Sequence, residues 1–436
     1  MTAHDAQDDA PTPQESPPGA GPETPLESPR VAGPETRQEA PEAAGRETRQ
    51  EDPGAAGPEG RGEPDERERR IAAARGARRL LARHPVTVPL GEHLAALAAG
   101  AADVADLEGP ADVYGDGVVE DLEDEVARLL GKEAAAFFPT GTMAQQVALR
   151  CWAGRTGNAT VALHPRSHPE VHERDALVTV SGLRTAHPTD APRPPTAEEV
   201  RDFEEPFGTL MLELPLREPG FLLPTWDELQ EVVAAARERD AVVHFDGARL
   251  WECAPHFGRP LDEIAGLADS VYVSFYKSLE GIAGAALAGP QTLVEEARAW
   301  RHRYGGLGFQ QFPTALSALL GLRNVLPRLP EYVAHARVVA DALRGAFEAS
   351  RVPWSRVHPQ PPHTHQFQVW LPYPPDVLNE AALAQAEETK TLLFWRWFPD
   401  GPPGLSVTEV TVAGPGLAWT ADDVRGAVAD FVRRLP

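Results

Sequence analysis

The sequence predicts an α/β fold with a mostly parallel sheet, followed by a smaller α+β domain. Three observations predict it. Short apolar runs alternate with helical stretches through the middle of the chain. Two of those runs end in a charged residue, at Asp246 and at Lys277. Near residue 325 the texture changes to a long helix followed by three further strand-like runs. Apolar strands alternating with helices are the pattern of a sheet covered on both faces.

Residues 1–65 carry Pro, Gly, Glu, Ala and Arg with almost no large apolar side chains, and a short motif recurs every twelve residues, at Ala20-Gly21-Pro22-Glu23, Ala32-Gly33-Pro34-Glu35, Ala44-Gly45-Arg46-Glu47 and Ala56-Gly57-Pro58-Glu59. Such a segment buries too little apolar surface to offset its ordering entropy, so it is expected to be disordered. The repeats lack the apolar position that a solenoid needs. Folding is expected to start with a helix over Arg67–Arg83. A second helix is expected over Val118–Leu130, where Val118, Leu122, Val126, Leu129 and Leu130 recur at helical spacing and Gly131 ends the stretch. Ala134–Phe138 reads as a strand running into Pro139-Thr140-Gly141-Thr142 and a helix over Met143–Ala153.

Further strands are expected at Thr160–Leu163, Leu177–Val180, Thr209–Leu214, Ala241–Phe245, Val271–Phe275 and Ala283–Ala288, with a helix over Trp226–Arg239. Beyond 325 come a helix over Pro330–Ala349, strands at Gln366–Leu371, Leu392–Trp397 and Ser406–Val412, and a last helix from Thr420. The expected division is a tail over 1–65, a large α/β domain over 66–325 and a small α+β domain over 326–436.

Net charge is −24, which offers nothing to nucleic acid or an anionic membrane. The sequence holds no 18-residue apolar stretch, and its polar, acidic start excludes a signal peptide, so a cytoplasmic location is expected. The two cysteines, Cys151 and Cys253, are too few for a disulfide scaffold or a metal cluster.

The chain uses three lysines against thirty-eight arginines, a bias that GC-rich coding also produces. One of the three, Lys277, closes the run Asp269–Tyr276. An amine can lose its proton and join a carbonyl as a Schiff base, which a guanidinium cannot. Asp246 ends the run thirty-one residues earlier. A lysine that links to pyridoxal phosphate, with a carboxylate that keeps the pyridine nitrogen protonated, needs this pair of residue types. Both lie at strand ends, where open α/β sheets bind ligands. Gly141 and Thr142 sit at a strand-to-helix junction whose free N–H groups attract phosphate, although a plain helix cap by Thr140 or Thr142 reads the same way. Arg249 has the fork for a carboxylate or for a surface ion pair. His168 lies in a polar loop, Pro165–Glu173, after a strand.

Taken in order, Tyr114-Gly115-Asp116, Gly131–Ala135, Phe138–Ala144, His168 with Glu173, His244–Leu250 and Ser274-Phe275-Tyr276-Lys277 resemble the threonine aldolase and β-eliminating lyase family of pyridoxal-phosphate enzymes. The resemblance runs from about 85 to 325 and more loosely beyond. It implies the aspartate-aminotransferase type of fold, a homodimer or homotetramer, and an amino-acid substrate. It makes Lys277 the cofactor lysine and Asp246 its pyridinium partner, gives the phosphate to Gly141 and Thr142, stacks His168 on the ring, adds Ser274 to the cofactor site, and assigns the substrate carboxylate to Arg249.

Departures from the family pattern fall on the substrate side. Leu216 stands where aldolases of the family carry a His near the β-hydroxyl, Gln310 stands where an Arg is expected, and the N-terminal motif is reduced to Arg83–Thr87. The C-terminal carboxylate-binding Arg is missing near Ser406–Glu409, which leaves Arg396 as its substitute. The implied reaction is cleavage of a β-hydroxy-α-amino acid to glycine and an aldehyde, with His168 or an ordered water as base. β-Elimination on another amino acid, or a non-catalytic homologue acting through a partner, are the alternatives.

Overall fold

The computed structural model describes residues 66–399 and 401–436; the tail with its twelve-residue repeats lies outside the described residues. Seven strands form the main sheet: β1 Ala134–Phe138, β2 Thr160–Ala162, β3 Arg184–Ala186, β4 Thr209–Glu213, β5 Val242–Gly247, β6 Ser270–Ser274 and β7 Ala285–Gly289. Their spatial order is β1-β7-β6-β5-β4-β2-β3. Neighbours from β6 to β3 pair in parallel, and β7 runs antiparallel between β1 and β6. The mostly parallel sheet is the expected one.

Helices cover both faces. One face carries α1 Val118–Leu129 and, after the sheet has turned, α4 Trp226–Arg237; the other carries α2 Gly141–Thr156. Of the period seen in the sequence, Leu122, Val126 and Leu130 are fully buried, worth roughly 1.5–3 kcal/mol each, while Val118 and Leu129 are only partly buried and Val119 takes a core position instead. Among the short helices between α2 and α4 is the single turn α3 His168–His172, which the site uses. Beyond the main sheet come α5 Phe312–Asn324 and α6 Leu329–Glu348. A second sheet follows, β8 Arg356–His358, β9 Gln366–Leu371 and β10 Ser406–Thr411, antiparallel in the order β10-β9-β8 and packed by α6, α7 Pro375–Thr389 and α8 Ala421–Arg433. The first turn of α6, at Leu329 and Tyr332, belongs to the core of the main sheet, while Ala336 to Phe347 belong to the second core.

Four expectations change. Leu177–Val180 is helical (Ala176–Thr179), with Leu177 packed inward and Val178 and Val180 both 54% exposed; the edge strand is β3 instead. An apolar run of this length does not distinguish a short helix from a strand. The helix expected over Arg67–Arg83 spans Glu66–Gly76, and Arg79–Leu80 then pairs in parallel with Thr391–Leu392. That first helix packs on α7, with Arg69 paired to Glu380 at 3.2 Å and Glu387 at 3.0 Å, so residues 66–80 sit with the C-terminal part of the chain. Of Leu392–Trp397 only Leu392 is in a strand; Leu393, Phe394 and Trp397 fill the second core as irregular chain.

Candidate active site

The parallel strands bring their C-terminal ends to one edge. There Asp246 of β5 is abreast of Glu213 on β4 and of Tyr272 on β6. Residues abreast in a sheet share a face, so these three lie on the α2 side. Lys277 follows three residues after the end of β6. Because β1 and β6 are both antiparallel to β7, they run the same way, and the helix after β1 starts at this same edge. The Thr140 hydroxyl caps the Met143 N–H at 3.2 Å, which leaves the Gly141 and Thr142 N–H groups without a helical partner. A Cβ on Gly141 would come 2.0 Å from the Tyr272 hydroxyl oxygen, so only glycine lets the helix start this close to β6. Beneath the site a polar row ties α2 to the sheet. His244 contacts Gln145 Oε1 and Ser270 Oγ at 2.7 Å each, and Trp152 Nε1 donates to Ser270 Oγ at 2.8 Å. Burial drives His244 down to about 3, so it is neutral.

The charges at the edge perturb one another. Burial lowers the Lys277 amine, and the Arg249 guanidinium lowers it further; Asp246 and Glu213 pull back, and the result is about 8. Burial raises the Asp246 carboxyl against the opposing pull of Lys277 and His168. Glu213 is pushed up to about 8, first by burial and then by Asp246 beside it. The Asp246 side chain accepts only from the Ala248 N–H, at 3.1 Å, among the described residues.

Glu213 clamps two loops. One carboxylate oxygen accepts the His168 N–H at 2.8 Å and the other the Arg217 N–H at 3.3 Å. The His168 ring is held by Glu173 Oε1, 3.1 Å from Nδ1, and it faces the His172 ring at 5.3 Å. On the second loop, Arg217 spans Glu409 of β10 (Nε–Oε1 2.9 Å, Nη2–Oε2 3.0 Å) and donates to Glu218 Oε1 at 3.0 Å. Leu216 is 2% exposed, pairs backbone to backbone with Leu222, and lines a void of about 20 Å³ with Leu214, Leu229 and Val232, room for one water.

The arginines at this edge differ sharply. Arg217 is paired with Glu409 and Glu218, although its Nε, 2.9 Å from Glu409 Oε1, donates no hydrogen bond. Arg249 has no carboxylate within ion-pair distance among the described residues; its guanidinium lies 5.4 Å from the Phe221 ring centre and its Nε is buried without a partner. Arg396 lies over the Phe398 ring at 5.0 Å, and among the described residues it has no hydrogen bond or ion pair. Ser274, whose carbonyl accepts the Trp251 indole N–H at 2.9 Å, is buried at the end of β6.

These residues fit pyridoxal phosphate. A buried amine, a buried carboxylate and an unpaired guanidinium gather without hydrogen-bonding one another, beside two free helix-start N–H groups, so their bonding capacity faces a ligand carrying phosphate, basic nitrogen and carbonyl. Inspection of the sequence missed Glu213, His172, Arg217 and Glu218. For Glu213 a signal was present, because its strand ends in an acid as β5 does.

The family model for β-eliminating lyases matches residues 95–355, more than half of the chain. The low-specificity L-threonine aldolase of Escherichia coli K12 is 32% identical over 243 residues, covering 54% of this chain and 72% of that protein. A crystal structure from Listeria monocytogenes EGD-E assigned as an L-allo-threonine aldolase superposes with a TM-score of 0.76 at 31% identity, over 85% of this chain and all of that one. One from Exiguobacterium sp. 255-15, assigned as an aromatic amino acid β-eliminating lyase/threonine aldolase, gives 0.76 at 33% identity, over 84% of this chain and all of that one. With the sheet order, the strand-end lysine and aspartate, and these matches all in agreement, the chain belongs to the β-eliminating lyase family, as a pyridoxal-phosphate-dependent lyase of threonine-aldolase type with the aspartate-aminotransferase fold.

Proposed function

We propose that this protein cleaves the Cα–Cβ bond of a β-hydroxy-α-amino acid, releasing glycine and an aldehyde. The observation that carries the proposal is the strand-end trio of Lys277, Asp246 and the carboxylate-free Arg249. Bound here, pyridoxal phosphate supplies an electron-withdrawing ring for the electron pair left on Cα. Lys277 holds the cofactor and afterwards carries protons to and from Cα, a task suited to an amine that titrates near 8. Asp246 keeps the ring nitrogen protonated, and its burial makes that charge pair strong. The Gly141 and Thr142 N–H groups receive the phosphate, and Ser274 lines the same end. His168, fixed through its backbone by Glu213 and through its ring by Glu173, covers the ring face. Arg249 takes the substrate carboxylate, since Arg217 is already paired with Glu409 and Glu218 while Arg249 meets no carboxylate among the described residues.

The proposal includes a homo-oligomer. Leu90, Leu94, Leu107, Val113, Tyr114 and Phe309 are all more than 40% exposed, apolar side chains that a second copy of the chain would cover. It also keeps the division at about residue 325, supported by the two separate cores. No helix among the described residues is long and apolar enough to cross a membrane. Two buried, unpaired cysteines support a cytoplasmic location.

Lys277→Ala is expected to abolish the visible absorbance of the bound cofactor together with turnover; full colour and full turnover in this variant would refute the assignment. Product analysis with a panel of β-hydroxy and β-substituted amino acids separates aldol cleavage from β-elimination.

A further inference from the structure

Aldol cleavage needs a base at the β-hydroxyl, and Leu216 gives none: its side chain is enclosed by Leu214, Leu229 and Val232. The next residues of that turn, Arg217 and Glu218, reach across to α3, the single helical turn that His168 opens and His172 closes. We propose that His172, oriented by Glu218, takes the β-hydroxyl proton of the substrate, an inference that rests on the aldol-cleavage reading above.

The tautomer follows from the partners. His172 Nε2 lies 2.7 Å from Glu218 Oε1 and 3.2 Å from Arg217 Nη1. A carboxylate only accepts and a guanidinium only donates. The shorter contact therefore requires the proton on Nε2, while Arg217 directs its own hydrogen to the same Glu218 oxygen at 3.0 Å. In the neutral ring that leaves Nδ1 as an open acceptor, and no described residue donates to it. This is the arrangement in which a carboxylate fixes one ring nitrogen so that the other can act as a base.

The dyad is braced from three sides. Glu213 holds the His168 N–H at the start of α3 and the Arg217 N–H on the opposite turn. Glu409, from the second sheet, grips the Arg217 guanidinium with both oxygens. The His172 ring centre lies 5.3 Å from that of His168, which ties the dyad to the residue assigned above to the cofactor face. His168 has the same carboxylate-held arrangement through Glu173, but its ring is the one assigned above to cover the cofactor.

The step balances within the site. The substrate O–H breaks and its proton goes to Nδ1 of His172. The O–H electron pair closes the aldehyde C=O and the Cα–Cβ bond breaks with its pair left on Cα; bound pyridoxal phosphate would supply the electron-withdrawing group there, and Lys277 delivers the proton that gives glycine. The imidazolium then loses its proton to water.

The test uses the cofactor-loaded full chain with L-threonine, L-allo-threonine and β-phenylserine, and separately with glycine in D₂O. Exchange of the glycine Cα proton needs Lys277 but no β-hydroxyl base. His172→Asn is expected to lower kcat for cleavage by about 100-fold or more, the usual range for loss of a general base, while cofactor absorbance, glycine affinity and Cα-proton exchange stay within about threefold. Glu218→Gln is expected to lower cleavage about tenfold with exchange again intact. Cleavage within threefold of the parent enzyme in His172→Asn would overturn the inference, as would equal loss of exchange and cleavage, which marks a structural role. A parent enzyme that exchanges glycine but cleaves none of the three substrates would instead overturn the aldol reading itself.

Discussion

At the scale of single residues, the site works by keeping charge away from water. Lys277 would be a protonated surface amine if its strand ended in solvent; burial and Arg249 together bring it to about 8. The neutral amine is the form that attacks a carbonyl. Addition of pyridoxal phosphate to the cofactor-free protein should therefore accelerate roughly tenfold per pH unit as pH rises toward 8, then level off, as followed by stopped-flow absorbance. A rate independent of pH between 6 and 9 would contradict the assigned environment. Arg249 offers the complementary check. Arg249→Lys removes the fork and keeps the charge, so KM for the amino acid should rise by about tenfold or more with a smaller change in kcat. Arg396→Ala should leave both constants near the parent values, because among the described residues that side chain meets only Phe398.

At the scale of elements, two contacts decide whether the site forms. The start of α2 approaches β6 only because residue 141 has no Cβ; Gly141→Ala meets the buried, rigid Tyr272 ring and should weaken cofactor retention on dialysis at least tenfold. The second contact joins the loop after Lys277 to the second sheet. The Ser278 hydroxyl donates to Glu252, Glu252 Oε2 lies 2.8 Å from His365 Nε2, and His365 Nδ1 lies 2.8 Å from the Val412 carbonyl. Both His365 nitrogens face acceptors, so the ring is an imidazolium paired with a fully buried carboxylate. Burial raises Glu252, but His365 outweighs it and leaves the carboxyl below its ordinary 4.5; burial lowers His365, but Glu252 outweighs it and leaves the ring above 6.5. The raised histidine contributes stability that is complete below 6.5 and fades as pH rises through its folded value. The lowered carboxyl contributes above 4.5 and fades as pH falls through its folded value. Glu252→Gln should thus cost about 3–5 kcal/mol near pH 6 by urea unfolding, with the gap to the parent narrowing toward pH 9. A gap that widens toward pH 9 would rule out the charged pair.

At the scale of the molecule, the exposed apolar residues gather around one region. Tyr114 stacks edge-on against Phe309 at 5.4 Å, Phe309 lies three residues before the start of α5, and the helix over Leu90–Gly100 that carries Leu90 and Leu94 packs against α5 through Gly100 and Leu320. Leu90 is 73% and Leu94 59% exposed. The double substitution Leu90→Asp with Leu94→Asp should shift sedimentation from oligomer to monomer with little loss of thermal stability, since neither side chain is part of a core. An unchanged sedimentation coefficient would place the interface elsewhere.

The main sheet was legible because parallel strands buried on both faces are written as unbroken apolar runs, and six of its seven strands stand where those runs stand. The edge strand Arg184–Ala186 was not, because an edge tolerates polar residues and carries no such run. Lys277 and Asp246 were legible for the same reason as the strands: each is the charge that stops an apolar run. His172, Glu218 and Arg217 look like ordinary surface polarity along the chain, since their meaning lies in partners 45 or 46 residues apart, or 192 in the case of Glu409. The sequence by itself determined the strand-end chemistry, because burial pattern and residue type are local properties. Only the tertiary structure decided which arginine is left without a carboxylate and which histidine has an open nitrogen, because charge neutralisation depends on what folding brings within about 3 Å.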